Sequence, residues 1–248
     1  MNTPRLSIVI PAYNEAARLP ATLQQLRCFL DGWDYPTEII VVDDGSTDDT
    51  AAVVRQIAAA DPRVQLIAAP HRGKGAAVRQ GILSARGAVR IMCDADLSMP
   101  AQELPKLLTP LTTGADIAYA TREGTGAHRV GEPPLRRLMG RTFNWLVRTL
   151  ALPGVDDSQC GFKAFTAASS ELLFRHATID GFGFDVEVLY LARQYGFQFQ
   201  AVPIIWHYHA NSRVHPLRDT FLMIRDVLHV RWNHWSGRYG HFAPQVQR

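Results

Sequence analysis

Cysteine is scarce in this chain. Cys28, Cys93 and Cys160 are the only three in 248 residues. They are odd in number, far apart and without metal-ligand spacing, which excludes a disulfide framework and a zinc cluster and leaves reduced thiols in a cytosolic setting as the expectation. A long apolar run is missing too: nothing approaches the roughly 18 residues that a bilayer-spanning helix requires. The opening Met1-Asn2-Thr3-Pro4-Arg5 has neither the charged nor the apolar region of a signal peptide. Repeats and low-complexity stretches are absent. Nor is there a large excess of charge of one sign; a net +3 gives no reason to expect nucleic acid as a partner. What is present is an ordinary globular composition, 47% hydrophobic and 20% charged, far from the region where chains stay disordered. At this length one α/β domain, residues 1–248, can bury a sizeable core.

Short apolar runs alternate with helical periodicity. Leu6-Ser7-Ile8-Val9-Ile10-Pro11 reads as a buried strand closed by proline, residues 19–30 as a helix, and Glu38-Ile39-Ile40-Val41-Val42-Asp43 as a second buried strand. Ser46 or Thr47, ahead of Asp48-Asp49, is expected to start a second helix with acids in its first turn. Residues 64–67 form a third strand, Gly73-Lys74-Gly75 opens a helix to about residue 85, and 89–93 is a fourth strand running into Asp94. This alternation implies right-handed crossovers and a mostly parallel sheet with helices on both faces. Beyond residue 120 the pattern loosens. A Gly/Pro-containing loop over 124–134 has the length of a lid or binding loop. Amphipathic helices are expected over 135–150 and 216–235, with a further helix over 185–195 and a strand over 199–205.

In such sheets ligands bind at the carboxyl ends of the strands, and three polar clusters fall there. Asp94-Ala95-Asp96 sets two carboxylates at i and i+2, a spacing that suits Mg²⁺ or Mn²⁺ held together with substrate phosphates; two acids capping the next helix would have the same spelling. Asp43-Asp44-Gly45-Ser46 can accept hydrogen bonds from a ribose or a base edge, and equally describes a turn with an N-cap. Pro11, Tyr13, Asn14 and Glu15 follow the first strand. Gly73-Lys74-Gly75 permits close backbone approach and supplies a cation without the full P-loop pattern, so Lys74 meets a diphosphate or is a surface lysine. Arg122, Arg129, Arg136, Arg137, Arg141 and Arg148 stand against only Glu123 and Glu132, which marks either an anion-binding surface or a solvated helix face. His207, His209, His215, His229 and His234 show no metal spacing and are expected to be structural or exposed.

Together, Val9-Ile10-Pro11-Ala12-Tyr13-Asn14-Glu15, Val41-Val42-Asp43-Asp44-Gly45-Ser46-Thr47-Asp48, Gly73-Lys74-Gly75-Ala76-Ala77-Val78-Arg79 and Asp94-Ala95-Asp96 resemble the inverting family-2 glycosyltransferases of GT-A fold, a Rossmann-like α/β architecture. The resemblance runs from residue 8 to about residue 237. Asp157-Ser158-Gln159-Cys160-Gly161-Phe162-Lys163, Phe184-Asp185-Val186-Glu187 and Asn211-Ser212-Arg213-Val214 narrow it to the polyprenyl-phosphate hexosyltransferases, the group of the dolichyl-phosphate mannose and glucose transferases, with wording closer to the glucosyl branch. Three features depart from that group. Arg213 stands where lysine is usual, no membrane-spanning segment is present, and the Gln-x-x-Arg-Trp motif of processive synthases is missing at Arg231-Trp232.

The resemblance implies a nucleotide-sugar half over residues 1–120 and an acceptor half over 121–248. Pro11, Tyr13, Asn14, Glu15, Asp43, Asp44, Gly45, Ser46, Lys74 and Asp94 are expected to hold the donor, UDP-glucose in preference to GDP-mannose, and Asp94 with Asp96 the metal. Arg122, Arg136, Ser212 and Arg213 are expected at the phosphate of a polyprenyl acceptor, with the amphipathic helices peripheral on the cytosolic membrane face. A phosphomonoester acceptor, with a second ionisation near ~6, hardly needs a base; for a hydroxyl acceptor Asp157, Asp185 and Glu187 are the candidate bases. The alternatives are a transferase for a small phosphorylated or saccharide acceptor, a GDP-mannose-dependent mannosyltransferase, and a sugar-nucleotide-binding module without catalysis.

Overall fold

The structure, a computed structural model, describes residues 3–209 and 216–240, the first five of the latter segment in backbone only. Its first hundred residues are the expected alternation of β1 (Leu6–Ala12), α1 (Leu19–Leu30), β2 (Thr37–Asp44), α2 (Thr50–Ala60), β3 (Val64–Ala69), α3 (Lys74–Ser84) and β4 (Val89–Cys93). Then come α4 (Leu104–Thr112), β5 (Ile117–Thr121), β6 (His128–Val130), α5 (Pro134–Leu150), β7 (Phe162–Thr166), α6 (Ala167–His176), α7 (Phe184–Gln194), β8 (Phe199–Pro203), β9 (Ile205–His207) and α8 (Pro216–Trp235). Seven strands form one sheet in the order β3-β2-β1-β4-β7-β5-β8. All neighbours are parallel except β7, which runs against both β4 and β5.

Both faces of the sheet are apolar, as burial on both sides demands. Ile8, Ile10, Ile39, Val41 and Ile91 point to the face covered by α1, α2 and α4, where Leu23, Leu26 and Leu104 meet them. Val9, Ile40, Val42, Met92 and Phe165 point to the other face, under α3, α5, α6 and α7. Helix α3 lies very close to the sheet, because a Cβ on Gly81 would stand 2.3 Å from a Val9 methyl and 2.8 Å from a Val42 methyl. Only hydrogen fits there.

Three sequence expectations shift. Helix α2 starts later than expected, at Thr50, and Asp48 stays outside it, its Oδ1 accepting the Thr50 amide at 3.0 Å. The strand expected over 199–205 breaks at Ile204: Pro203 has no N–H to continue a ladder, and β9 peels away to pair with β6 in a separate two-stranded sheet. The loop over 124–134 therefore contains a strand, and it is pinned. Arg129 donates to Glu123 and Glu132, both at 2.7 Å, and to the Arg122 carbonyl at 3.2 Å.

Candidate active site

The carboxyl ends of β1, β2, β4 and β5, and the reversed entry of β7, open on one edge of the sheet. After β1, Asn14 takes a left-handed backbone (φ 55°), a conformation that asparagine tolerates better than most residues. Its Oδ1 accepts the amides of Thr47 and Asp48 at 2.8 and 3.3 Å, and its own amide donates to Ser46 Oγ at 2.8 Å. The Glu15 amide donates to Thr50 Oγ1 at 2.8 Å. The loops after β1 and β2 are thus bonded to each other before any ligand arrives. Asp43 accepts the Ser46 amide at 3.1 Å from a buried position. Asp44 accepts the amides of Arg72 and Gly73, both at 2.9 Å, and pairs with His71 at 2.8 Å. The His71 ring stacks on Tyr13 at 4.2 Å between centroids.

Asp44 thereby folds the turn that presents α3. Gly73 (φ +123°) and Gly75 sit so close to the loop before α7 that Cβ atoms would stand 2.6 Å from the Asp180 carbonyl and 2.5 Å from the Ile179 carbonyl. Between them Lys74 reaches across to Asp94, Nζ to Oδ1 at 2.6 Å. Burial alone would lower the Lys74 ammonium, but Asp94, Asp185 and Asp96 together hold it above its ordinary range. For Asp94 burial wins in the other direction: it pushes the carboxyl up, Lys74 opposes, and Asp96 and Asp185 add to the rise. This is an acidic cluster short of positive charge. Gly161 makes room for it, since a Cβ there would fall 1.7 Å from Asp94 Oδ2. Asp96 Oδ1 accepts the Ser98 amide at 2.9 Å across a turn in which Leu97 has φ 47°, a backbone that a branched side chain rarely adopts. Asp185 is bonded at 2.5 Å to Lys163, a lysine only 1% exposed, which also donates to the Cys160 carbonyl at 2.8 Å.

Other expected site residues are placed elsewhere or used differently. Arg122 and Asp157 meet each other: Nε and Nη2 each donate at 2.8 Å and the Arg122 amide at 2.9 Å to a carboxylate with no solvent exposure. Arg122, expected at the acceptor phosphate, and Asp157, expected as a base, are thus partners in a buried ion pair. Glu187, the other expected base, is likewise engaged within the fold. Fully buried, it accepts from the Thr178 amide and hydroxyl, the Ile179 amide at 2.8 Å and the Tyr239 hydroxyl at 2.8 Å, so it anchors the loop before α7. The arginine-rich stretch is no single anion surface, because Arg122, Arg129 and Arg148 are ion-paired. Arg136 lies over the Tyr208 ring at 5.0 Å. Ser212 and Arg213 fall outside the described residues. A cavity of about 930 Å³ is lined by Asn14, Glu15, Arg18, Asp96, His207 and His209, among others. His207 and His209, expected to be structural or merely exposed, thus share a wall with Asp96. His71 and Lys163 were not singled out by spacing. A lone histidine and a lysine inside an apolar strand carry no periodic signal.

Comparison with known proteins agrees with this geometry. The family model described as Glycosyl transferase family 2 matches residues 7–169. The chain belongs to glycosyltransferase family 2. A dolichyl-phosphate beta-glucosyltransferase of Homo sapiens is 32% identical over 256 residues, covering 96% of this chain and 78% of its own. Another, of Trichomonas vaginalis, is 33% identical over 220 residues and 84% of this chain; 65% of its own length is covered, a little under two thirds. Among solved structures, glucosyl-3-phosphoglycerate synthase from Mycobacterium tuberculosis in complex with Mn²⁺, UDP-Glc and phosphoglyceric acid superposes with a TM-score of 0.67 at 24% identity, over 96% of this chain and 80% of that one. That likeness is one of fold.

The donor set at the exit of β4 suits a hard divalent cation. Asp94 and Asp96 offer carboxylate oxygens in an environment of excess negative charge. Among the described residues no group of three His, Cys, Asp or Glu side chains is placed to hold a metal alone. A cation there would take the rest of its shell from water and phosphate oxygens, the habit of Mg²⁺ and Mn²⁺.

Proposed function

We propose that this family-2 enzyme transfers glucose from UDP-glucose to a polyprenyl phosphate of the dolichyl kind, inverting the anomeric carbon, at a membrane surface. The observation that carries this reading is the set of relatives described above, whose names state both sugar and acceptor and which align with most of this chain. The engagement of the candidate bases supports it. Asp157 and Glu187 are saturated by donors and Asp185 is bonded to Lys163, an arrangement suited to an acceptor that arrives already ionised.

In this reading Asp94 and Asp96 hold a divalent cation, Mg²⁺ or Mn²⁺. When bound, it screens the charge that develops on the leaving diphosphate. Lys74 adds a second positive charge from the start of α3. The bonded loops of Asn14 and Asp43-Ser46 present a rigid rim to the nucleoside, with Tyr13 and His71 stacked beside it. Arg136 and Arg213 are the cations assigned to the acceptor phosphate in this reading. The test is transfer itself. With Mn²⁺ and polyprenyl phosphate, labelled glucose from UDP-glucose is expected to pass into the organic phase, while mannose from GDP-mannose stays behind. The opposite preference assigns the mannosyl branch, and ready transfer to a water-soluble phosphate or saccharide replaces the lipid acceptor.

Helices α5 and α8 pack together, and their outer surfaces expose Leu135, Leu138, Trp145, Phe221, Leu228, Trp232 and Trp235, with Arg137, Arg141, Arg225 and Arg231 also exposed. Aromatic and aliphatic side chains among arginines suit a helix pair lying in an anionic headgroup layer. Among the described residues no helix is long and apolar enough to cross a membrane. Vesicles containing phosphatidylserine are expected to bind the protein, with binding falling as salt rises. Trp232→Ser combined with Trp235→Ser should weaken it about tenfold, since each indole removes a large apolar area. Co-sedimentation checks this, and indifference to vesicles at low salt would remove the peripheral docking.

A further inference from the structure

Lys74 has two features that its proposed part in binding diphosphate does not require. It is already bonded to Asp94, 2.6 Å away, with Asp185 and Asp96 acting on the same ammonium. Its backbone is also tethered, because Gly73 and Gly75 are pressed against the Asp180 and Ile179 carbonyls and the Ala76 amide donates to the Asp180 carbonyl at 3.2 Å. The long side chain is the part best able to move. A cation approaching Asp94 therefore meets a positive charge already seated on one of the two carboxylates offered to it.

We propose that Lys74 is the resident counter-ion of Asp94, that a divalent cation must displace it, and that this exchange couples binding of the metal to binding of the sugar diphosphate. The inference rests on the reading of Asp94 and Asp96 as the metal carboxylates. A metal binding alone evicts an ammonium from its partner and leaves two like charges close together in a largely enclosed cleft. A diphosphate arriving with the metal gives the evicted ammonium an anion to pair with, so each makes the other's binding more favourable. Coupling of this kind is reciprocal: the factor by which UDP tightens the metal equals the factor by which the metal tightens UDP. It also accounts for a site with only two protein carboxylates and no third side-chain ligand among the described residues.

The experiment is a titration of the full chain with Mn²⁺, followed by the electron paramagnetic resonance signal of the free ion, with and without UDP. In the wild type UDP is expected to tighten Mn²⁺ by about tenfold or more, within the usual range of coupling between sites. In Lys74→Met, Mn²⁺ alone should bind about tenfold tighter than in the wild type, because nothing competes for Asp94, and UDP should add about threefold or less. Lys74→Gln, which keeps a donor for Asp94 without the charge, should behave the same way, and thermal unfolding establishes that both variants are folded. If either folded variant binds Mn²⁺ alone no more tightly than the wild type, Lys74 is a diphosphate ligand only and the exchange is wrong. A wild type that fails to hold Mn²⁺ even with UDP overturns the metal reading itself, and this inference with it.

Discussion

Asp96→Asn should lower kcat/KM for glucose transfer by about 10²- to 10³-fold, the usual loss when one preorganised electrostatic contact to a developing charge is removed. The fold should be spared. Asp96 uses Oδ1 to accept the Ser98 amide at 2.9 Å, and asparagine keeps an oxygen in that position. The turn is fixed independently by the Leu97 amide, which donates to the Asp94 carbonyl at 3.2 Å. The thermal midpoint is therefore expected within about 2 °C of the wild type, as for a substitution costing no more than about 0.5 kcal/mol. The measurement is transfer of labelled glucose to polyprenyl phosphate at several Mn²⁺ concentrations, beside an unfolding curve. A variant with full turnover would show that Asp96 takes no part in holding the cation.

Arg122→Met should cost about 3–5 kcal/mol, because it strands the Asp157 carboxylate with no solvent exposure and without the guanidinium that balances it, leaving it only the backbone amide of residue 122. For a chain of this size that corresponds to a fall in thermal midpoint of roughly 6–20 °C. The pH dependence separates the ion pair from other causes. In the wild type burial would raise the Asp157 carboxyl, but Arg122 outweighs it and holds the group below its ordinary value. A carboxyl depressed in the folded state contributes stability above its unfolded value of about 3.9 and loses it as pH falls through the folded value. The wild type should thus weaken only on the acid side of about pH 4 on account of this group. In Arg122→Met burial is opposed only by the backbone amide of residue 122 and by Arg129, the folded value rises, and the deficit should shrink as pH is lowered from 7. Thermal unfolding across pH reads both effects. A midpoint unchanged at pH 7, together with selective loss of transfer to the lipid phosphate, would return Arg122 to the acceptor site.

The half of the fold that was legible in the sequence was legible for a physical reason. In β1, β2 and β4 both faces are buried, so Leu6–Ala12, Thr37–Asp44 and Val89–Cys93 read as mainly apolar runs leading into polar residues. The polar clusters after them could be placed on one edge by topology alone. Strand β5 (Ile117–Thr121) was missed because two of its five residues are alanine, and α4 because Pro105 and Pro110 look like breakers; one sits in its first turn, where proline is tolerated. Reversal of β7 left no local mark, since nothing in Phe162–Thr166 states which neighbours it pairs with. The site divides in the same way. Carboxylates could be found by type and spacing, but not whether each faces a ligand or another residue of the chain. Asp157 and Asp185 are spelled alike; one is sealed against Arg122, while the other joins Lys163 beside the Lys74–Asp94 pair. Partners 35 and 22 residues away decide the difference.

The tight seating of α3 limits how the donor cleft can work. With Gly81 against Val9 and Val42, and Gly73 and Gly75 against the chain before α7, this helix cannot approach the sheet or that chain any more closely. The cavity beside Asp96 is bordered by α1 and by His207 and His209 at the end of β9. In the exchange proposed above, the backbone at the start of α3 stays in place while the Lys74 side chain moves from Asp94 to the diphosphate.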